Sequence, residues 1–335
     1  MLPQIFPKMN GVVKPMKAIV IREFGSPEVL KAEEVDLPSA GPSQVLVKVG
    51  AVGVNPVDTY LRSGVYPKLP PLPYTPGKDS AGVIEAVGSS VRGLEPGDRV
   101  YTSGSITGTY AEYTLCEERD AALLPDNITF EQGAGIWTPY ATAYRALFQK
   151  AKAKTSESVL IHGASGGVGL AAVQWAKNAG LMVIGTASSE AGIELIRANG
   201  VDAAFDHSDE SHLDAILEFT GGKGVDVIIE MLANVNLERD FKALAMFGRI
   251  VIVGSRGSLE FSPRLTMGKD ASIFGMSLFN YSEADREEIR DAVFKGLSDG
   301  SLNPIVNRSF PLSEAPAAHI AVIETKAAGK IVLVP

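Results

Sequence analysis

The rhythm of apolar and polar positions changes near residue 134 of this chain. Before that point the apolar residues fall in short runs, Lys17–Arg22, Gln44–Val49, Val83–Val87, Asp98–Tyr101 and Tyr110–Leu115. These runs are rich in β-branched and aromatic residues, and the last alternates as a half-buried strand does. Pro27, Pro38, Pro42, Gly88, Gly93, Pro96 and Gly97 punctuate them. The pattern predicts a turn-rich β unit. After residue 134, apolar runs at 158–162, 181–186, 203–206, 225–230, 249–254 and 271–275 alternate with helical periodicity, notably over 190–198 and 236–246. That alternation predicts a doubly wound parallel sheet with right-handed crossovers. Asp285–Leu297 reads as a further helix and Lys330–Val334 as a closing strand. The closing strand resembles the β unit, so the C-terminus is expected to return there.

The stretch from Ser158 to Lys177 organises the second part. Val159-Leu160-Ile161 has the composition of a buried parallel strand. Glycines follow at 163, 166, 167 and 169, and apolar residues then recur at helical spacing to Gly180, which suits the place just past a helix end. Strand, glycine turn and helix is the context in which backbone N–H groups meet a pyrophosphate. Ala164 holds the first place of the glycine fingerprint, with Gly166 and Gly169 at the second and third, so the match is a variant. The bland alternative is a packing turn in an α/β sheet.

Composition narrows the field. With 335 residues, 45% hydrophobic and 21% charged, the chain can build one large or two ordinary domains. It contains no apolar run of membrane-spanning length. The formal net charge of -8 argues against broad electrostatic binding of nucleic acid. The single cysteine, Cys116, precludes an intrachain disulfide and is compatible with a reducing, cytoplasmic setting. Residues 1–15 contain three prolines and no signal-peptide core, and read as an extension of no assigned function.

Six separated segments resemble the medium-chain dehydrogenase/reductase superfamily, in the same order and over nearly the whole chain. They are residues 53–64 (GVNPVDTYLRSG), 73–77 (PYTPG), 81–88 (AGVIEAVG), 162–169 (HGASGGVG), 230–236 (EMLANVN) and 253–257 (VGSRG). Within the superfamily the resemblance is to the zinc-free, zeta-crystallin-like NADPH:quinone oxidoreductases. It implies a Rossmann sheet inserted in a GroES-like, β-rich catalytic domain, with the active site in the cleft between them. The expected boundaries are 1–133 for the catalytic domain, 134–273 for the Rossmann NADP-binding domain and 274–335 for the return.

The resemblance also implies site residues. Ser165, Gly166, Gly167 and Val168 are expected at the pyrophosphate, and Ser188 and His207 at the adenosine end. Asn236, the loop Val253-Gly254-Ser255-Arg256, and Met276-Ser277-Leu278 are expected to complete the cofactor site. Tyr60 is expected at both cofactor and substrate, and Tyr66 at the substrate. Bland readings stand beside these: Tyr60 and Tyr66 as rings packed on Pro67, Pro70 and Pro71, Arg256 as a solvated cation, Met276 and Leu278 as core. Asn55 and Asp58 have the character of loop anchors. Thr138 reads as a helix cap ahead of Pro139, with nicotinamide contact by Thr138 and Thr142 as the alternative.

Zinc is not expected. Asn55 stands where zinc members of the superfamily place a cysteine, and Lys78 where they place a histidine. The four histidines, His162, His207, His212 and His319, show no metal-ligand spacing, and His162 reads as structural. NADPH is favoured over NADH because Ala187-Ser188-Ser189 closes the second Rossmann strand, where NAD sites place an acid. Glu190 competes with that reading, and the turn holds no Arg or Lys.

A tyrosine hydroxyl can donate to a developing oxyanion. A reduced quinone can also take its proton from water, so Tyr60 is expected to serve binding more than chemistry. Three functions are carried forward: reduction of quinones such as ortho-quinones, reduction of alkenals, enones or enoyl thioesters on the same scaffold, and a non-catalytic, NADPH-linked RNA-binding protein. The resemblance implies a homodimer or homotetramer paired through the last Rossmann strand, near Ala271–Gly275, and no membrane partner.

Overall fold

The computed structural model describes residues 14–324 and 328–335. All but the last two residues of the expected 1–15 extension lie outside them. Two compact units emerge: one runs to Trp137 and resumes at Pro304 and again at Lys330, and the other runs from Thr138 to Asn303 and takes in Gly329.

The first unit is built on a seven-stranded sheet. Its longest strand, Gln44–Val54, pairs antiparallel with Ser80–Val87, with Tyr113–Glu117 and with the closing strand Lys330–Val334. Burial on both faces explains why that strand reads as an almost continuous apolar run. Val45 and Val47 pack with Ile84, Val100 and Cys116. Val52 and Val54 pack with Tyr110, Phe310, Ile331 and Leu333. The helix Pro56–Ser63 follows the long strand directly. Asn55 caps it in a reciprocal capping box with Asp58, Pro56 takes the first turn, and Gly64 ends it at φ 79°.

The second unit holds six parallel strands, Ser158–Ile161, Met182–Ala187, Ala203–Asp206, Val225–Glu230, Leu244–Ile252 and Ser272–Gly275. Numbered within the unit, their spatial order is 3-2-1-4-5-6, the order of the dinucleotide-binding fold. Every neighbouring pair is parallel. The order reverses between Ser158–Ile161 and Val225–Glu230, so the crevice for a ligand lies beyond the carboxyl ends of those two strands. Leu160, Ile184, Ile228 and Ile250 fill the sheet's core against helices that include Leu213, Ile216 and Leu237.

Three expectations shift. The helix expected over 236–246 is Ala233–Asp240, and residues from Leu244 on already belong to a strand. The backbone of Ala243 and Leu244 is claimed by Val225 before the register bulges, which overrides the helical spacing of the side chains. Thr138 does not cap a helix: it lies inside a wide π-helical turn, Trp137–Ala141. The chain leaves the second unit at Asn303 rather than at residue 274. The helix Glu283–Ser298 is held there by Arg145 to Asp285, by Tyr144 to Glu288 and by Gln149 to Glu288.

Candidate active site

At the head of the second unit, Gly163 turns the chain at φ 56° and Gly166 caps the helix Gly167–Asn178. Gly166, at the cap position, offers no side chain to the first N–H groups of this helix, the arrangement that an anion site uses. A Cβ on Gly169 would stand 2.4 Å from the Gly163 carbonyl oxygen, so only glycine lets helix and loop approach this closely. The turn therefore fits a pyrophosphate group at Ser165, Gly166, Gly167 and Val168. Ser165 is buried, and its carbonyl accepts the N–H of Gly329 at 2.7 Å.

The neighbouring strand ends in Thr186-Ala187. Ser189 spends its hydroxyl on capping the next helix through the Gly192 N–H at 3.2 Å, and Glu190 is exposed in that helix's first turn. Ser188 stays half-buried at the turn. His207 is bound to the same edge: its N–H donates to the Ala187 carbonyl at 3.0 Å and its Nδ1 lies 3.2 Å from the Thr186 hydroxyl. Ser188 and His207 thus share one corner of the unit.

The fourth and fifth strands end in two turns stitched together by Glu230. Its backbone carbonyl accepts the N–H groups of Val253 at 2.8 Å and Gly254 at 3.3 Å. Its side chain accepts the Leu232 N–H and the Asn236 amide, the latter at 3.2 Å. Asn234, which sequence reasoning passed over in favour of Asn236, receives the Arg256 N–H at 2.8 Å and the Ser255 hydroxyl at 3.4 Å. Val253-Gly254-Ser255-Arg256 and Asn236 are thereby fixed as one rim. Arg256 is exposed on it. Met276 joins through its N–H to the Ile252 carbonyl at 3.1 Å, with Ser277 half-buried and Leu278 buried beyond it.

In the first unit Tyr60 lies on the helix Pro56–Ser63 and Tyr66 just past its glycine stop, both half-buried. Beneath them is a buried polar cluster. Asp58 Oδ2 accepts the Asn55 N–H at 2.9 Å and lies 3.3 Å from the Tyr110 hydroxyl, which is 3.0 Å from His319 Nε2. The Asn55 amide donates to Asp79 at 3.0 Å, and the Lys330 ammonium donates to Asn55 Oδ1 and stands 3.9 Å from Asp79. Burial pushes the Asp58 carboxyl up to about 7, against the pull of the Asn55 N–H, and nearby Asp79 adds to the rise. Burial lowers the Lys330 ammonium, with Asp79 and Asp58 opposing. Burial and Arg62 depress His319 to about 3, so it is neutral.

Zinc does not fit here. The donor set is an amide, a carboxylate and an ammonium, and the ammonium occupies the Asn55 oxygen that a cation would need. Cys116 is buried among Val45, Val47 and Ile84. Lys330 gave one signal in the sequence, a charged residue opening an apolar strand, and that signal did not reveal its partnership across 275 residues with Asn55.

Residues 41–126 match the model of the alcohol dehydrogenase GroES-like domain, and residues 167–295 that of the zinc-binding dehydrogenases. The chain is 48% identical to a quinone oxidoreductase of Homo sapiens over 96% of its own length and 98% of the relative's. It is 34% identical to one of Pseudomonas aeruginosa over 95% of its length and 99% of the relative's. Among solved structures, the quinone oxidoreductase of Escherichia coli in complex with NADPH superposes with a TM-score of 0.87 at 31% identity, covering 95% of this chain and all of that one.

Proposed function

We propose, because this chain belongs to the quinone oxidoreductases of the medium-chain dehydrogenase/reductase superfamily, that it reduces quinones, ortho-quinones among them, with NADPH and without zinc. The observation that carries the zinc-free part is the Lys330 ammonium bonded to Asn55 beside Asp79. NADPH is supported by the glycine-capped helix start after Gly166 and by serines, not an acid, at positions 188 and 189 just past the second strand.

NADPH, when bound, supplies the hydride. The protein's part is to hold and orient. Ser165 to Val168 meet the pyrophosphate, Asn236 and the rim from Val253 to Arg256 border the dinucleotide, and Met276 to Leu278 line its nicotinamide side. Tyr60 and Tyr66 donate hydroxyl hydrogen bonds to the quinone oxygens as negative charge develops there. The reduced quinone is a stabilised anion, so water can deliver the proton.

The test is NADPH oxidation with 9,10-phenanthrenequinone, 1,2-naphthoquinone, a 2-alkenal and crotonyl-CoA. The two ortho-quinones are expected to give the highest kcat/KM. A higher value for the alkenal or the thioester would move the substrate class to enone reduction. The strand Ser272–Gly275 ends the sheet. A second copy pairing along it would make a homodimer, which light scattering of the eluted protein would register as twice the chain mass.

A further inference from the structure

Below the rim and the glycine turn lies a cluster of ionisable groups that the proposed reaction does not use. His162 directly follows the first strand of the second unit, Glu230 ends the fourth, and Asp240 ends the helix Ala233–Asp240. All three are buried, Glu230 and Asp240 wholly. His162 Nε2 lies 2.9 Å from Asp240 Oδ1 and 3.6 Å from Glu230 Oε2. The other Asp240 oxygen and Glu230 Oε2 are buried with no hydrogen bond among the described residues. One ligand atom from each of the three residues lies within 4.8 Å of the others.

Charge bookkeeping shows what is missing. Two carboxylates and one imidazolium leave a net negative charge in a buried setting, which is costly. One further proton on a carboxyl oxygen makes the cluster neutral and supplies a donor for the orphaned oxygens. Buried groups this close titrate as a set rather than singly.

The cluster also touches both sides of the dinucleotide crevice. Glu230 Oε1 accepts from Asn236 and from the Leu232 N–H. His162 Nδ1 lies 3.4 Å from the Thr186 hydroxyl, which lies 3.3 Å from the Gly163 N and 3.2 Å from His207 Nδ1. Asn236, Glu230, His162, Thr186 and His207 therefore form one polar chain beneath the place where the cofactor's phosphates are expected.

We propose that Glu230, Asp240 and His162 hold a shared proton beneath this crevice, and that binding of NADPH draws additional proton occupancy into the cluster. Glu230 is thus a positioning residue for the cofactor, acting through Asn236 and through its own charge. The inference rests on the reading of the second unit as the NADPH site. The sign follows from linkage: an anion arriving above the cluster disfavours its ionised form, so cofactor affinity falls as the cluster loses its proton.

The working range is near neutrality. Burial raises the Glu230 carboxyl to about 7, with His162 opposing and Asp240 reinforcing the rise. Burial disfavours the charged His162, but Asp240 and Glu230 outweigh it and raise its proton affinity. The other ionisable groups facing the cluster are few. Arg239 opposes protonation of His162. His212, edge-on to His162 with ring centroids 6.4 Å apart, is held neutral by burial, and its Nδ1 lies 2.6 Å from the Asp209 carbonyl. His207 joins only through Thr186.

Calorimetric titration with NADPH at pH 7.5, in two buffers of different ionisation enthalpy, measures the protons exchanged. The wild type should take up a fraction of a proton per NADPH, and its affinity should fall severalfold from pH 6.5 to 8.5. Glu230→Gln should bind NADPH with no uptake and a flatter profile. Equal uptake in Glu230→Gln would place the proton on the cofactor's own phosphate or on His207 and overturn the proposal. So would a wild type that binds with no exchange. Should Glu230→Gln fail to fold, Asp240→Asn serves as the second variant. The infrared spectrum of the wild type needs no variant to fold: it should show a buried protonated-carboxyl band that grows on adding NADPH. Failure of NADPH to bind the wild type would sink the functional reading instead, and absence of the band in free protein would still refute the shared proton.

Discussion

Tyr60 is proposed as the residue on which substrate handling turns. If its hydroxyl orients the quinone and water protonates the product, Tyr60→Phe raises KM and keeps part of kcat. Complete loss of turnover with NADPH binding intact would make it an obligatory proton donor. Asp58 supplies a second prediction at this scale. Its folded-state value of about 7 lies above that of an unfolded carboxyl, so the folded chain binds more protons between about pH 4 and 7. Its contribution to stability is therefore present in full at low pH and lost as pH rises through 7. Thermal unfolding should move to lower temperature from pH 5 to pH 8, and Asp58→Asn should shrink that shift, leaving the share that Glu230 carries. An unchanged pH slope in the variant would refute the assignment. Asn55 and Asp58 were legible as local anchors because capping is a three-residue affair. Their bonds to Asp79, Tyr110 and Lys330 were not, because no spacing rule relates strands so far apart in the chain.

At the scale of elements, the glycine turn and its helix were readable in full, since backbone approach and glycine placement are written in adjacent residues. Gly169→Ala tests that reading. Its Cβ would meet backbone atoms of Gly163 and Ala164, which cannot rotate aside. Overpacking of this kind costs about 1–3 kcal/mol, and the displaced loop should lose NADPH affinity in titration. Near-native stability and binding would show that the turn tolerates a side chain. If the corner after Met182–Ala187 sets cofactor choice, the lack of an acid at Ser188 and Ser189 makes kcat/KM for NADPH exceed that for NADH. The reverse ratio would make exposed Glu190 the deciding residue. Where the sequence misled, a backbone partner had overruled side-chain spacing, as when Val225 drew Ala243 and Leu244 out of the expected helix.

For the whole molecule, the order of β unit, parallel sheet and returning strand was visible in the rhythm of apolar runs. The late exit from the second unit was not, because the ion pair of Arg145 with Asp285 and the hydrogen bonds of Tyr144 and Gln149 to Glu288 join polar residues whose partners no spacing rule names. No helix among the described residues is long and apolar enough to cross a membrane. Lys330, Asp79 and Asn55 bring together an ammonium, a carboxylate and an amide, and the chain is proposed to reduce quinones with NADPH without a metal. The most direct measurement is the initial rate of NADPH oxidation with 9,10-phenanthrenequinone by chelator-treated protein whose metal content is determined on the same sample. The prediction is an undiminished rate at negligible metal content. A rate that disappears on chelation and returns with one equivalent of zinc would contradict it.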